Sequence, residues 1–305
     1  MRPTSTLLAL LARPAYVLRG YQPKHLKSDV VAGLTVAVLM LPQAMAYAFI
    51  AGVPVGMGLY TAIVGSVVGA LWGSSRQLQT GPTNAASLLV LSGLLSVAAP
   101  GSPRYVTAAG LLAIMVGAWC LLMGLARLGV LVNFISDSMI VGFTAGAGIL
   151  IALNQVSHLL RLSASSSASL WMTVPDIVAS VPDSHWPSLA LGLGALIFTL
   201  VLRCADRRLP GPLIGMVGAA AVVALLDLDG QGVEVVGKLS GGLPSLVDLS
   251  LFDRELARDL VTGSMAIAAV GLVEGMSIAR SISSQTGQRL DSNQEFVGQG
   301  PANVA

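Results

Sequence analysis

Along this chain, apolar runs of about 18–23 residues recur, separated by short polar or helix-breaking stretches. A helix of that length crosses ~30 Å of hydrocarbon. The pattern predicts spans at 29–50, 55–72, 105–125, 131–155, 187–203, 210–227 and 260–279, with one interrupted segment at 76–97. Turn signals separate them: Gly52-Val53-Pro54, Pro100-Gly101-Ser102-Pro103 and Leu209-Pro210-Gly211-Pro212.

The interrupted segment is the most informative. Polar, helix-breaking chain from Ser74 to Ser87, with Gly81-Pro82 at its centre, runs straight into Leu88-Leu89-Val90-Leu91. Irregular backbone survives at membrane depth only where protein buries it or water reaches it. If the polar part enters the bilayer, four extended residues from Arg76 to Gln79 reach ~13 Å inward. A helix from Pro82 to about Val97 then covers ~24 Å. Pro82 suits a first-turn position because its missing N–H would be unpaired there. The open N–H groups and positive dipole end of such a half-helix form an anion site, as in many secondary transporters. Thr80, Thr83 and Asn84 add side-chain donors. The other reading is a cytoplasmic loop followed by an ordinary short span.

Composition supports a membrane chain: 54% of the 305 residues are hydrophobic and only 10% are charged. Mean hydropathy is +0.78, and soluble domains carry about 25% charge. The 34 glycines suit close helix approach in lipid. With a cytoplasmic N-terminus, only Arg104, Arg161, Lys238, Arg254 and Arg258 of the 17 basic residues fall outside. That agrees with the positive-inside rule. Two long outer segments, 156–186 and 228–259, collect most of the acidic residues. The first 28 residues read as a cytoplasmic amphipathic helix with Arg13, Arg19, Lys24 and Lys27 near headgroups, not as a cleaved signal. Cys120 and Cys204 read as isolated buried hydrophobes. His158 and His185 show no ligand partner in the sequence. No zinc, iron–sulfur, nucleophile–base or phosphate-cradling spacing is present, so no metal, cofactor, nucleic-acid or enzymatic role is expected.

Three blocks carry a family resemblance. Asp29-Val30-Val31-Ala32-Gly33-Leu34-Thr35-Val36 with Leu41-Pro42-Gln43-Ala44-Met45-Ala46-Tyr47-Ala48 resembles the first span of the SulP family of sulfate permeases and related anion carriers. Gly58-Leu59-Tyr60 through Gly73-Ser74-Ser75-Arg76 to Thr80-Gly81-Pro82-Thr83 resembles its second and third spans. Asp291-Ser292-Asn293-Gln294-Glu295 with Gly298-Gln299-Gly300 resembles the segment after its eighth.

The resemblance implies an all-α integral membrane fold of fourteen segments, two inverted seven-segment repeats, with facing half-helices preceded by short strands. It divides this chain into a cytoplasmic N-terminus (1–28), core spans one to four (29–125), gate spans five to seven (131–227), an extracytoplasmic loop (228–259), core span eight (260–279), and a cytoplasmic loop with the start of span nine (280–305). The remaining spans and the usual STAS domain would lie beyond Ala305, so a piece of a longer product, inactive alone, is expected. The full-length protein is expected in the bacterial inner membrane, as a homodimer.

Glu274 is the sole carboxylate well inside an apolar span, ~9 Å before Arg280. Burying it costs several kcal/mol unless it is protonated, paired or facing water, which makes it a candidate proton carrier. It resembles the family's acidic residue associated with proton or sodium coupling, with Ser277 as a possible co-ligand. The bland reading is a glutamate that reaches cytoplasmic water or pairs with Arg280. Gln43 and Tyr47, four apart on one helix face beside Pro42, can both donate to an oxyanion. In the family this face lines the substrate cavity; the alternative is polar glue between helices. Pro42 should kink its helix. Arg76 is expected to anchor at headgroups. Asp137, Asn154 and Gln155 read as polar contacts in the gate, and Gly142, Gly146 and Gly148 as helix packing.

The expected function is secondary transport of an inorganic anion by alternating access. Sulfate is the first expectation and bicarbonate the second, held by Gly81, Pro82, Thr83 and Asn84 with Gln43 and Tyr47, and coupled through Glu274 and Ser277. An uncoupled channel and a non-transporting scaffold are the other-class alternatives.

Overall fold

The computed structural model describes residues 7–130, 137–160, 170–206, 209, 211–233, 235 and 254–305. Expectations for 131–136, for Arg161, Arg207, Arg208, Glu234 and Lys238, and for most of the 228–259 loop lie outside the described residues, as do the side chains of Asp137, Asn154, His158 and Asp183. The helices are α1 (Leu7–Arg19), α2 (Leu26–Ala51), α3 (Val55–Trp72), α4 (Asn84–Leu94), α5 (Pro103–Leu125), α6 (Asp137–Leu160), α7 (Leu170–Ser180), α8 (Trp186–Ala205), α9 (Gly211–Leu226), α10 (Arg254–Thr286) and α11 (Ser292–Val304). Among the described residues, five helical stretches are long and apolar enough to cross a membrane: Pro23–Ala51, Val55–Trp72, Pro103–Leu125, Trp186–Ala205 and Arg254–Ser283. α4 and α9 are shorter apolar helices.

The chain divides into two compact units. The first holds 1–26, 47–144 and 242–305; the second holds 27–46 and 145–241. In the first, α11 packs across α5 and α3, and α10 packs on α5 and α4. Its core joins Leu94, Tyr105, Leu112, Cys120, Leu260, Leu272, Met276 and Phe296, all 3% exposed or less. Glycines let α11 approach its neighbours closely. A Cβ on Gly298 would lie 2.6 Å from the Gly73 Cα, and one on Gly117 would lie 2.6 Å from the Gly300 carbonyl oxygen. Small residues at helix contacts are what packing in lipid favours. Gly52 ends α2 at φ +72°, left-handed backbone that suits glycine. The Tyr105 hydroxyl then donates to the Ala51 carbonyl at 2.6 Å. In the second unit α8 packs on α9, and α8 has no buried residue, so apolar side chains such as Leu196, Ile197 and Leu200 face outward. Lipid-facing helices have this character.

Several expectations need correction. The half-helix starts at Asn84, because Thr83 is extended (ψ 158°) and its side chain accepts the Ala86 N–H as N-cap. Pro82 therefore precedes the cap and does not open the helix, and the regular helix ends at Leu94. The outer segment 156–186 contains α7. α10 runs 33 residues, so Glu274 lies ~18 Å from its C-terminal end, not ~9 Å. Cys204 is exposed while Cys120 is buried. Gly142, Gly146 and Gly148 face nothing within 4 Å of a built Cβ among the described residues. The His185 ring is held by hydrogen bonds, Nδ1 with Ser188 Oγ at 2.8 Å and Nε2 with the Gln231 carbonyl at 3.1 Å.

A candidate anion site at the broken segment

Between α3 and α4 the chain has neither helix nor strand from 73 to 83. Its backbone needs partners, since lipid supplies none. Glu295, near the start of α11, supplies several. One of its carboxylate oxygens accepts the Ser74 N–H (2.8 Å), the Ser74 hydroxyl (2.8 Å) and the Ser75 N–H (3.0 Å). The Gln288 amide donates to the Ser74 carbonyl at 3.1 Å and its oxygen accepts the Arg76 N–H at 3.3 Å. The Gln294 amide donates to the Trp72 carbonyl at 2.6 Å, and Asn293 Oδ1 accepts the Gly129 N–H at 3.0 Å. Asp291 caps α11 through the N–H groups of Asn293 and Gln294. Each polar residue of the 291–295 block except Ser292 thus has a visible job. On the same loop, Arg13 of α1 donates to the Gly73 carbonyl at 3.2 Å.

Deeper along the segment, Thr83 and Glu274 meet. The Thr83 hydroxyl donates to Glu274 Oε2 at 3.0 Å while accepting the Ala86 N–H at 3.3 Å. Helix geometry leaves the Asn84 and Ala85 N–H groups without an intrahelical acceptor. Beside this pair lies a cavity of about 130 Å³, walled by Thr80, Gly81, Thr83, Glu274, Gly275 and Gln299 among others. One water needs about 10–15 Å³ by this kind of measure, so there is room for a small hydrated ion.

Of the residues expected at the site, the cavity brings Gly81, Thr83 and Glu274 together. Pro82 and Asn84 stand next to it on the chain without lining it, and Asn84 is exposed. Tyr47 is partly buried on α2 and does not line the cavity. Gln43 is exposed and belongs to the other unit. Ser277 does not line the cavity, and its hydroxyl donates to the Val273 carbonyl of its own helix at 2.7 Å. Arg76 is exposed. Gln79 and Gln299, not singled out from the sequence as site residues, also line the cavity. A built Cβ on Gly275 would meet the Gln299 amide. The Gly298-Gln299-Gly300 motif was the available signal for Gln299, but nothing in it shows which neighbour the amide faces. Among the described residues, no group of three or more His, Cys, Asp or Glu is placed to hold a metal.

Comparison with known proteins agrees with this architecture. The transmembrane domain of a cyanobacterium bicarbonate transporter, BicA, superposes with a TM-score of 0.81 at 23% identity, covering 93% of this chain and 72% of that one. The structure of SLC26A9 gives 0.85 at 22%, covering 100% and 51%. These likenesses establish the fold. In sequence, the chain is 37% identical over 290 residues to a probable sulfate transporter of Mycobacterium tuberculosis, covering 94% of this chain and 51% of that protein. It is 35% identical over 296 residues to the chloroplastic sulfate transporter 4.1 of Arabidopsis thaliana, covering 94% and 43%. The chain thus spans about half the length of these relatives, which are transporters, not enzymes. The model of the sulfate permease family matches residues 26–305. With its apolar helices, this makes the chain a multi-pass membrane protein. The chain belongs to the sulfate permease family.

Proposed function

We propose that this chain is part of an inorganic-anion transporter, with sulfate as its substrate and a proton or sodium ion as the coupling ion. The observation that supports this best is the Thr83 hydroxyl, shared between the N-terminus of α4 and the Glu274 carboxylate at the cavity wall. The dipole end and open N–H groups of α4 attract an oxyanion. An ionised Glu274 beside them repels it. A proton or sodium ion on Glu274 removes that repulsion, so anion and cation bind together. Gly81, Pro82, Thr83 and Asn84 hold the anion, and Gln43 and Tyr47 of α2 are proposed as further donors to it. Ser277, one turn from Glu274 on α10, is proposed beside the cation; its hydroxyl proton goes to Val273 and its oxygen lone pairs stay open.

Alternating access follows if residues 29–125 and 260–279 move as a core against residues 131–227. We place the N-terminus in the cytoplasm of a bacterial cell, on the positive-inside count, and the intact gene product in a homodimer. Dipoles and N–H donors discriminate weakly among oxyanions. The fold likeness to a bicarbonate transporter therefore favours bicarbonate as the second reading. The test is uptake of labelled sulfate by the intact gene product in a bacterium lacking its own sulfate uptake, with bicarbonate as competitor. Saturable uptake supports sulfate. Bicarbonate flux without sulfate uptake moves the substrate to bicarbonate, and the absence of both overturns the reading.

A further inference from the structure

Glu295 is 2% exposed, yet nothing in the anion and coupling scheme uses it. A buried carboxylate is tolerated only where its charge is met by hydrogen bonds or a counter-charge. Here the Ser74 and Ser75 N–H groups and the Ser74 hydroxyl all converge on one oxygen. Gln288 and Gln294 bind three more backbone groups of the same stretch, Ser74, Arg76 and Trp72. The chain leading into α4 is therefore held at its start by the 288–295 segment, and at its end by the Thr83 contact with Glu274. Between these fixings, residues 77–82 lack regular structure. The position of the α4 N-terminus is set by these two fixings, by the bonds of Thr80 and Gln79 to Ser66 of α3 and by the packing of α4 on α10 and α5.

We propose that Glu295 is a positioning residue for anion binding. It never touches the anion; acting through Ser74 and Ser75, it fixes the lead-in so that the N–H groups of α4 and the Thr83 hydroxyl meet substrate in one geometry. This rests on the anion site proposed above. Glu295→Ala removes the acceptor of two N–H groups and a hydroxyl in a part-buried site, and the lead-in must move to satisfy them. Glu295→Gln keeps a carbonyl oxygen able to accept from the same N–H groups.

The test has two readouts on the intact gene product. Hydrogen exchange on purified protein should quicken across 74–83 in Glu295→Ala, with the centre of α5 unchanged, and return towards wild type in Glu295→Gln. Sulfate uptake in Glu295→Ala should show KM raised about 10-fold, the equivalent of one lost hydrogen bond to a charged group. Maximal rate per folded protein should change far less, and Glu295→Gln should recover most of the KM. If Glu295→Ala does not accumulate, Ser74→Ala, which removes one of the three donors, should give the same pattern more weakly. Unchanged exchange and KM in the variants that fold would overturn the proposal, as would a Glu295→Gln defect equal to that of Glu295→Ala. Absence of anion uptake by wild type would sink the transport reading, while the exchange result would still decide whether Glu295 holds the lead-in.

Discussion

Thr83 and Glu274 stand 191 residues apart in sequence and 3.0 Å apart in space, joined by the threonine hydroxyl. One side chain therefore caps the half-helix and touches the single carboxylate set well inside an apolar span. A valine at 83 keeps the shape and loses both bonds. Thr83→Val should cost about 0.5–2 kcal/mol for the cap, visible as a lower melting temperature in detergent, and should cut uptake. Thr83→Ser keeps the hydroxyl and should stay near wild type in both.

Gly298 crosses Gly73 with no room for a side chain: a Cβ there would sit 2.6 Å from the Gly73 Cα and 2.7 Å from its nitrogen. Backbone cannot rotate away as a flexible side chain can. Gly298→Ala should destabilise by about 1–3 kcal/mol, the usual range for overpacking. Gly146→Ala, on a helical face that meets nothing within 4 Å among the described residues, should be neutral or slightly stabilising. Thermal unfolding of the two variants side by side checks the contrast.

The Tyr105 hydroxyl, fully buried, donates to the Ala51 carbonyl at the end of α2. Tyr105→Phe should cost about 1 kcal/mol, a typical net hydrogen bond. Because the bond closes the turn at Gly52 and lies away from the cavity, the sulfate KM should stay as in wild type. A melting curve and an uptake titration together test that separation.

Much of this was legible in the sequence, because hydrocarbon thickness and backbone satisfaction act locally. The apolar runs located α3, α5, α8 and α9 to within a few residues, and the polar Ser74–Ser87 stretch marked the broken segment. The helix start was misplaced at Pro82 because proline fits a first turn sterically; the hydroxyl of Thr83 decides the matter instead. The bond from Ser277 to Val273 was not legible, since a serine within a helix can turn either to its own backbone or away from it. Glu295 was noticed only as part of a motif. Its partners lie 221 and 220 positions away, and no periodicity encodes a pairing across that distance.

The most direct test of the account is labelled sulfate uptake by the intact gene product carrying Glu274→Gln, measured with and without imposed proton and sodium gradients beside wild type. Glutamine keeps an oxygen for the Thr83 hydroxyl but cannot take up a proton, so the account predicts gradient-driven accumulation in wild type and its loss in the variant. Gradient-driven accumulation that survives in Glu274→Gln, or gradient-independent flux in both proteins, would contradict it.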